Sequence, residues 1–243
     1  MNAFTFDEPY LYKGIKIYPI KLRDYFIFNY VVECLLIDKN SIPDAKVISM
    51  SYLDFLIETS TEENKNIDRL SALLYLVIDK NENEIKLYKD KGKNILEICG
   101  VFIDGKDFDN IKKIILDQNL IETPDYTIQK EIRDKIEEGK RIRGKSSKMA
   151  DLEDQMISLS ISTGLSLENI YNMSYRKFVK SISRADLLLH YKIYLQAQMS
   201  GMVSFKDTSF IKHWLTDTSE KGEDGLMALN DVTKKISFED KKK

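Results

Sequence analysis

Residues 150–201 read ADLEDQMISLSISTGLSLENIYNMSYRKFVKSISRADLLLHYKIYLQAQMSG, and this stretch decides the fold. It is the longest segment with one consistent period, because apolar residues recur every three or four positions, as they do on one face of a helix. Gly164 ends a first helix, since glycine takes the left-handed cap conformation at little cost. Ser166 and Ser174 are predicted N-caps, because a serine hydroxyl accepts a free backbone N–H. The stretch therefore predicts three helices, over about residues 150–162, 167–172 and 175–199.

The apolar stripes on these helices define the faces that we expect to be buried. The first helix carries Leu152, Met156, Leu159 and Thr163 near one face. The long helix carries a stripe made of Phe178, Ile182, Ala185, Leu189, Ile193 and Ala197. Gly201 is expected to close the long helix.

The N-terminal part mixes strands and helices. A β-hairpin is predicted over Tyr10–Ile20, with its turn at Lys13-Gly14. A helix follows over Lys21–Asp38, and its broad inward face is expected to consist of Leu22, Tyr25, Phe26, Val32, Leu35 and Leu36. A short helix capped by Ser49 or Ser51 comes next. The pattern then predicts a helix over Ile67–Ile78 and strands over Glu84–Tyr88 and Asn94–Val101. It also suggests that Phe102-Ile103 extends the second strand. A further helix is predicted over Lys106–Gln118.

Both ends of this last helix carry terminal signals. Asp104 is the predicted N-cap, and Asn119 is the predicted left-handed stop. Beyond it, Ile128 to about Arg143 forms a charged helix, and Gly144–Lys148 is the most linker-like piece of the chain. The fold class is therefore α+β, mostly α, with a mixed N-terminal part and a helical, bundle-like C-terminal part. We divide the chain into residues 1–125, residues 126–215, and a flexible tail over residues 216–243.

The composition is that of a soluble globular protein, with 43% hydrophobic and 31% charged residues and a net charge of −2. Cys34 and Cys99 lie far apart in apolar runs, which predicts buried free thiols in a reducing compartment. The N-terminus has no signal-peptide pattern, and no apolar run is long enough to span a membrane. We therefore expect a cytoplasmic protein with no membrane partner.

The sequence contains no motif that predicts catalysis, a cofactor or a metal. His190 and His213 are the only histidines, and we expect no second His, Cys or carboxylate at ligand spacing around either. The tripeptide Gly144-Lys145-Ser146 lacks the upstream glycine of a phosphate-binding loop, and it follows a charged helix instead of a buried strand. We predict that the protein is not an enzyme.

One alternative is a DNA-binding regulator. Residues 156–173 approximate a helix-turn-helix, with Gly164 at the turn. The preceding segment, residues 129–148, has eight basic and four acidic side chains and therefore a local charge of +4, which suits contact with phosphates. However, the would-be reading helix presents Glu168 and no base before Arg176. Nucleic acid is therefore the less favoured partner.

The order of parts resembles proteins from the tail modules of long-tailed bacteriophages. The resemblance rests on YKGIKIYPIKLRDYFIFNY (residues 12–30), DGKDFDNIKKIILDQN (104–119), GLSLENIYNMSYRKF (164–178) and a Trp-bearing segment, GMVSFKD…HWL (201–215). It covers about Tyr10 to Leu215 as a pattern. The proteins that the chain resembles are tail-assembly chaperones and baseplate or baseplate-hub assembly proteins, which are not enzymes.

The resemblance implies a protein that holds tail, tape-measure or baseplate proteins, with self-association as a further possibility. Such a protein is expected in the host cytoplasm during assembly, and some members remain in the virion tail. We expect its contacts to use apolar and aromatic groups near the C-terminus, namely Met202, Phe205, Phe210 and Trp214. The tail beyond Thr216 is expected to become ordered on the partner.

Overall fold

The computed structural model describes residues 7–39, 42–78, 85–90, 92–121, 135, 150–201, 211 and 213–216. It has an α+β fold that is mostly α-helical, as predicted. Internal packing divides the chain into two compact units, residues 1–185 and residues 186–243. The predicted helix over Ile128–Arg143, the linker after it and the tail beyond Thr216 lie almost entirely outside the described residues, and the three predicted domains stay a prediction.

In the described residues of the first unit, five strands form two small antiparallel sheets. The N-terminal hairpin pairs β1 (Tyr10–Tyr12) with β2 (Ile15–Ile17). Its turn residues Lys13 and Gly14 both have positive φ, which is the geometry of a tight two-residue hairpin turn. The second sheet has the order β3-β4-β5 and consists of β3 (Ile85–Asp90), β4 (Lys93–Ile98) and β5 (Val101–Ile103).

The sequence pattern had suggested that Phe102 and Ile103 extend β4, but they do not. They belong to β5, which folds back on β4 so that Phe102 lies opposite Glu97. The chain reverses at Cys99 and Gly100, whose φ angles are 53° and 76°. A left-handed cysteine is uncommon, and this turn therefore has no clear signature in the sequence.

Eight α-helices lie in the described residues. The predicted helix over Lys21–Asp38 is longer than the α-helix observed there, which covers only Tyr25–Val32. The other predicted starts and ends in the described residues fall within two residues of the observed ones, and the short helix after Pro43 was not predicted. The eight helices are α1 (Tyr25–Val32), α2 (Ala45–Ser49), α3 (Tyr52–Glu58), α4 (Asn66–Val77), α5 (Gly105–Gln118), α6 (Leu152–Thr163), α7 (Leu167–Asn172) and α8 (Tyr175–Met199). Single turns of 3-10 helix, Leu22–Asp24 and Glu33–Leu36, flank α1. The predicted caps Ser51, Asp104 and Ser166 each accept the backbone N–H three residues later.

The main hydrophobic core lies between β2, the inner face of the three-stranded sheet and helices α1, α3, α4 and α5. Its largest fully buried side chains include Phe28, Phe55 and Phe108. A smaller cluster joins Leu22 to α6, α7 and the start of α8. The two clusters share Tyr175 at their margins, so both belong to the first unit.

The predicted inward face of the first helix is wrong at Phe26, which is 71% exposed. The residues that α1 buries are Phe28, Val31 and Val32. Because successive helical residues turn by about 100°, Phe26 lies on the side opposite Phe28. The segment is aromatic on both faces, so its composition does not decide which face is buried.

Asn119 does not adopt the predicted left-handed conformation; its φ is −103°, and Leu120 takes that position with φ 57°. The side chain of Asn119 is fully buried instead. Its Oδ1 accepts the backbone N–H of Ile20 at 3.1 Å, and its Nδ2 donates to the carbonyl of Ile115 at 2.8 Å. The amide thus joins the end of α5 to the strand segment after β2.

The carboxylate of Asp54 connects α3 to the second sheet. It accepts hydrogen bonds from Ser51 Oγ at 2.6 Å, from the Asn94 N–H at 3.0 Å and from Asn94 Nδ2 at 2.7 Å. Burial raises the pKa of Asp54, but these hydrogen bonds and the nearby Lys93 charge outweigh burial, so the pKa lies below its ordinary value.

We predict that Asn119→Ala lowers the free energy of unfolding by roughly 2–3 kcal/mol, because the buried N–H of Ile20 loses its partner. Urea unfolding followed by circular dichroism measures the change. Asn169→Ala is the matched control: this residue is exposed on α7, and its replacement should change stability by less than about 0.5 kcal/mol. Equal effects of the two substitutions would contradict the structural role of Asn119.

We predict that Asp54 contributes to the acid sensitivity of the fold. Its folded pKa is depressed, so its stabilisation is complete above the unfolded value of about 3.8 and is lost as the pH falls through the lower folded value. Asp54→Asn should therefore destabilise the protein at pH 7 and reduce the further loss of stability below pH ~4. Urea midpoints across this range measure the difference, with the exposed Asp68→Asn as control. If the urea midpoint of Asp54→Asn falls with decreasing pH as steeply as that of the unsubstituted protein, the prediction is wrong.

Candidate protein-interaction surface

Helices α6 and α7 form a sharp corner that is fixed by local hydrogen bonds. Gly164 has φ 74° and caps α6 by donating its N–H to the carbonyl of Ser160. The Ser160 hydroxyl donates to the carbonyl of Leu165 at 2.7 Å, which holds the chain as it leaves the helix. Ser166 then caps α7. The predicted helix-turn-helix is therefore a real feature of the backbone.

The corner is anchored on the N-terminal part by two main-chain hydrogen bonds. The N–H of Leu22 donates to the carbonyl of Met173 at 2.9 Å, and the N–H of Tyr175 donates to the carbonyl of Ile20 at 3.0 Å. Beneath this bridge the smaller cluster is buried, and it consists of Leu22, Leu159, Ile170, Met173 and Phe178. The inner side of the corner is thus fully used in packing.

The outer side of the corner is apolar and exposed. On α6, Ile157 and Ile161 are four residues apart and share one face, and Ile161 is 81% exposed. On α7, Leu167 and Tyr171 have the same spacing, and each is 48% exposed. We name as the corner face the exposed apolar residues Ile157, Ile161, Leu165, Leu167 and Tyr171. A run of exposed apolar side chains is typical of a protein-interaction site.

Negative charges accompany the corner face. Residues 150–175 contain four carboxylates and no Lys or Arg. All four carboxylate side chains belong to exposed residues, namely Asp151, Glu153, Asp154 and Glu168. Within the described residues none of them forms an ion pair.

This charge pattern bears on the DNA-binding alternative. A reading helix must approach phosphates, which favour Lys and Arg nearby. Here α7 offers Glu168 and two exposed apolar side chains, and the first base after it is Arg176. The basic residues 129–148, on which that alternative also depends, lie outside the described part apart from Lys135. The described geometry therefore favours an apolar partner over a polyanion at this corner.

A polar cleft of about 510 Å³ opens beside the bridge to α8. Its lining includes Asp7, Arg23, Asp24, Asn172 and Ser174. Asp7 accepts a short hydrogen bond from Ser174 and lies 3.5 Å from the amine of Lys177, while the Nε of Arg23 lies 3.6 Å from Asp24. Arg23 Nη1 also donates to Asn172. Asp7, Arg23 and Asp24 thus have charged or polar partners within the chain, whereas Lys21 also lines the cleft and forms no ion pair with a described residue.

Two titratable groups lie at the main core: Cys34 is buried within it, and Lys112 on α5 is half-buried beside Tyr52. The amine of Lys112 lies 3.2 Å from the centre of the Tyr52 ring, and burial lowers the pKa of Lys112 to about 8. Burial also raises the pKa of the Cys34 thiol to about 12, which disfavours the nucleophilic thiolate. Cys34 and Cys99 form no disulfide, as predicted, but only Cys34 is buried, whereas Cys99 is half-buried. The Tyr52 hydroxyl donates to the Cys34 carbonyl at 2.9 Å, so we assign these groups to packing.

Of the four predicted contact residues, the structure describes Trp214 alone. Met202, Phe205 and Phe210 lie outside the described residues. Trp214 is half-buried, with its ring 6.1 Å from that of His213. His213 in turn makes an edge contact with Tyr191 on α8 at 5.0 Å. The contact role of these four residues therefore stays a prediction.

The expectation that no carboxylate lies near a histidine at ligand spacing is wrong for His190. Asp186 precedes it by one helical turn, and its Oδ2 lies 3.3 Å from His190 Nδ1. Two ligands are fewer than a protein metal site requires. Among the described residues no group of three or more His, Cys, Asp or Glu side chains is placed to hold a metal ion.

No helix in the described part of the chain is long and apolar enough to cross a membrane.

The sequence patterns located the corner but missed the corner face. Of the predicted inward stripe of α6, Leu152, Met156 and Leu159 are buried or half-buried in the smaller cluster, whereas Thr163 is exposed. Ile157 and Ile161 fall outside that stripe, on the opposite side of the helix. The sequence did contain a signal for the corner face, because Ile157 and Ile161 form an i, i+4 pair on the side of α6 opposite the predicted stripe.

Residues 144–219 match the family described as the YomV second domain, which derives from a Bacillus phage protein. The match covers less than a third of the 243 residues and suggests a phage protein. Comparisons with curated proteins and with solved structures found no match. The matched segment contains all five residues of the corner face.

Proposed function

We propose that this protein is a non-enzymatic structural or assembly component of a phage tail or baseplate and that it acts through protein–protein contacts. The observation that carries the proposal is the corner face, an exposed apolar surface inside the segment that matches a phage-derived family. The tail and baseplate assignment rests on the resemblance of residues 10–215 to phage tail-module proteins.

The size of the exposed side chains supports a binding role. Burying a Leu, Ile or Phe side chain contributes about 1.5–3 kcal/mol. The five side chains of the corner face are between 38% and 81% exposed, so a partner can still bury a large part of each. A small central group of this kind supplies most of the affinity in many interfaces.

The absence of enzymatic activity is also part of the proposal. No catalytic motif is present in the sequence, and both carboxylates that line the polar cleft, Asp7 and Asp24, form ion pairs within the chain. A thermal-shift assay with divalent metals and nucleotides tests this point, because a ligand that binds the native state raises the melting temperature. A clear shift with one such ligand would overturn the non-enzymatic assignment.

Affinity capture from cells in which the encoding phage is growing tests the proposed function. We expect the tagged full-length chain to recover tail, tape-measure or baseplate proteins at moderately high salt, because apolar contacts depend little on ionic strength. Ile161→Ser should reduce recovery by about tenfold, since it removes roughly 1.4 kcal/mol of apolar contact. The matched control is Ile48→Ser, which replaces an isoleucine that is 49% exposed on α2.

The same capture experiment examines the predicted contact residue Trp214. Trp214→Ala should also reduce recovery, provided that circular dichroism and urea unfolding show an intact fold. Recovery of no tail or baseplate protein, together with DNA binding at low salt that is lost in Arg141→Glu plus Arg143→Glu, would support the DNA-binding regulator instead.

A further inference from the structure

Acidic side chains adjoin the apolar side chains on the outside of the corner. On α6, Asp154, Ile157 and Ile161 are spaced i, i+3 and i+7, so they follow one line along the helix. On α7, Glu168 precedes Tyr171 by three residues and therefore lies on the neighbouring turn. The carboxylates thus border the corner face on both helices. A partner must offer apolar groups at its centre and compensate negative charge at its edge.

We infer that the corner face binds a basic amphipathic helical segment of a partner protein. Apolar pairs at i, i+4 on two adjoining helices present ridges that fit between the side chains of a third helix. Lysine or arginine residues beside the apolar stripe of that third helix would lie opposite Glu153, Asp154 and Glu168. This inference rests on the proposed function, since it names the kind of partner that the protein binds.

A second copy of this chain is the less suitable occupant. A two-fold interface places the same surface patch of each copy against the other. The four carboxylates of residues 150–175, with no base among them, would then meet four more. Like charges across an interface oppose association. The partner helix is therefore expected to carry the opposite charge.

Nucleic acid is a less suitable occupant of this face for the same reason. The phosphate backbone is attracted by Lys and Arg, and it is repelled by carboxylates. A basic helix meets both requirements of the surface, because its apolar stripe covers the isoleucines and its charges pair with the acidic edge. Charged pairs at such an edge mainly set specificity and the rate of association.

Binding of designed peptides to the purified full-length protein tests the inference. The probe is a fluorescein-labelled helical peptide of about 18 residues, with leucine at i, i+3, i+4 and i+7 and lysine elsewhere. The control probe has the same leucine positions with glutamate in place of lysine. Fluorescence anisotropy should show that the leucine–lysine peptide binds at least about tenfold more tightly than the leucine–glutamate peptide, and that its affinity falls as salt rises.

Paired variants separate this site from general attraction of a basic peptide. Ile161→Ser and, separately, Tyr171→Ser should each weaken binding of the leucine–lysine peptide by about tenfold, whereas Ile48→Ser should not. Glu153→Gln plus Glu168→Gln should weaken it several-fold. Glu62→Gln plus Glu63→Gln removes two exposed carboxylates elsewhere and should have no comparable effect. Circular dichroism and urea midpoints check the fold of each variant.

Several results would overturn the inference. The first is that the two peptides bind with equal affinity. The second is that the two double charge variants lose affinity for the leucine–lysine peptide equally. The third is that Ile161→Ser and Tyr171→Ser fold normally and still bind this peptide with unchanged affinity. Self-association that both of these substitutions abolish would identify a second copy as the occupant and would equally refute it. If the peptide binds as expected but capture recovers no phage protein, the docking site stands and the proposed phage function fails.

Discussion

The main-chain bridge between residues 20–22 and residues 173–175 is the contact on which the arrangement of the first unit depends. Its two hydrogen bonds, Leu22 N–H to Met173 carbonyl and Tyr175 N–H to Ile20 carbonyl, pair segments about 150 residues apart in the chain. Asn119 receives the N–H of Ile20 from the other side, so the same short segment also fixes the end of α5. Backbone groups buried at such a junction must be paired, because an unsatisfied one costs much of the stability of a domain. The position of the corner therefore follows from this bridge.

The boundaries of the elements could be predicted from the sequence because they depend on local chemistry. Ser51, Asp104, Ser166 and Gly164 act on backbone groups within a few residues of themselves, so their roles do not depend on the tertiary fold. The β5 strand is the counterexample, since it depends on Cys99 taking a left-handed conformation that cysteine rarely adopts. The side chain of Asn119 is another, because its burial against Ile20 is decided by a contact about a hundred residues away.

The choice of buried face was harder to predict than the presence of a helix. On α1 both sides are apolar, and only packing against α4 and the hairpin decides that Phe28 is inside and Phe26 outside. On α8 the predicted stripe is buried or half-buried at Phe178, Ile182 and Ala185, whereas Leu189 and Ile193 are 49% and 58% exposed. Periodicity identified both helices, but it did not decide which residues of each helix are covered by other parts of the fold. The corner face shows the same limit, because it is defined by apolar residues that remain uncovered.

The corner face and the polar cleft differ in whether their carboxylates form ion pairs within the chain. In the cleft, Asp7 and Asp24 each lie within 4 Å of a basic side chain, so their presence is explained by contacts within the fold. At the corner, Glu153, Asp154 and Glu168 form no ion pair with a described residue. Acids in the first turn of a helix are stabilised by about 0.3–1 kcal/mol through the helix dipole, which accounts for their placement along α6 and α7. It does not account for the exposed isoleucines beside them, because an 81% exposed Ile161 contributes little to the core. Carboxylates that form no ion pair with a described residue, together with exposed apolar side chains, are therefore the two features on which the proposed partner rests.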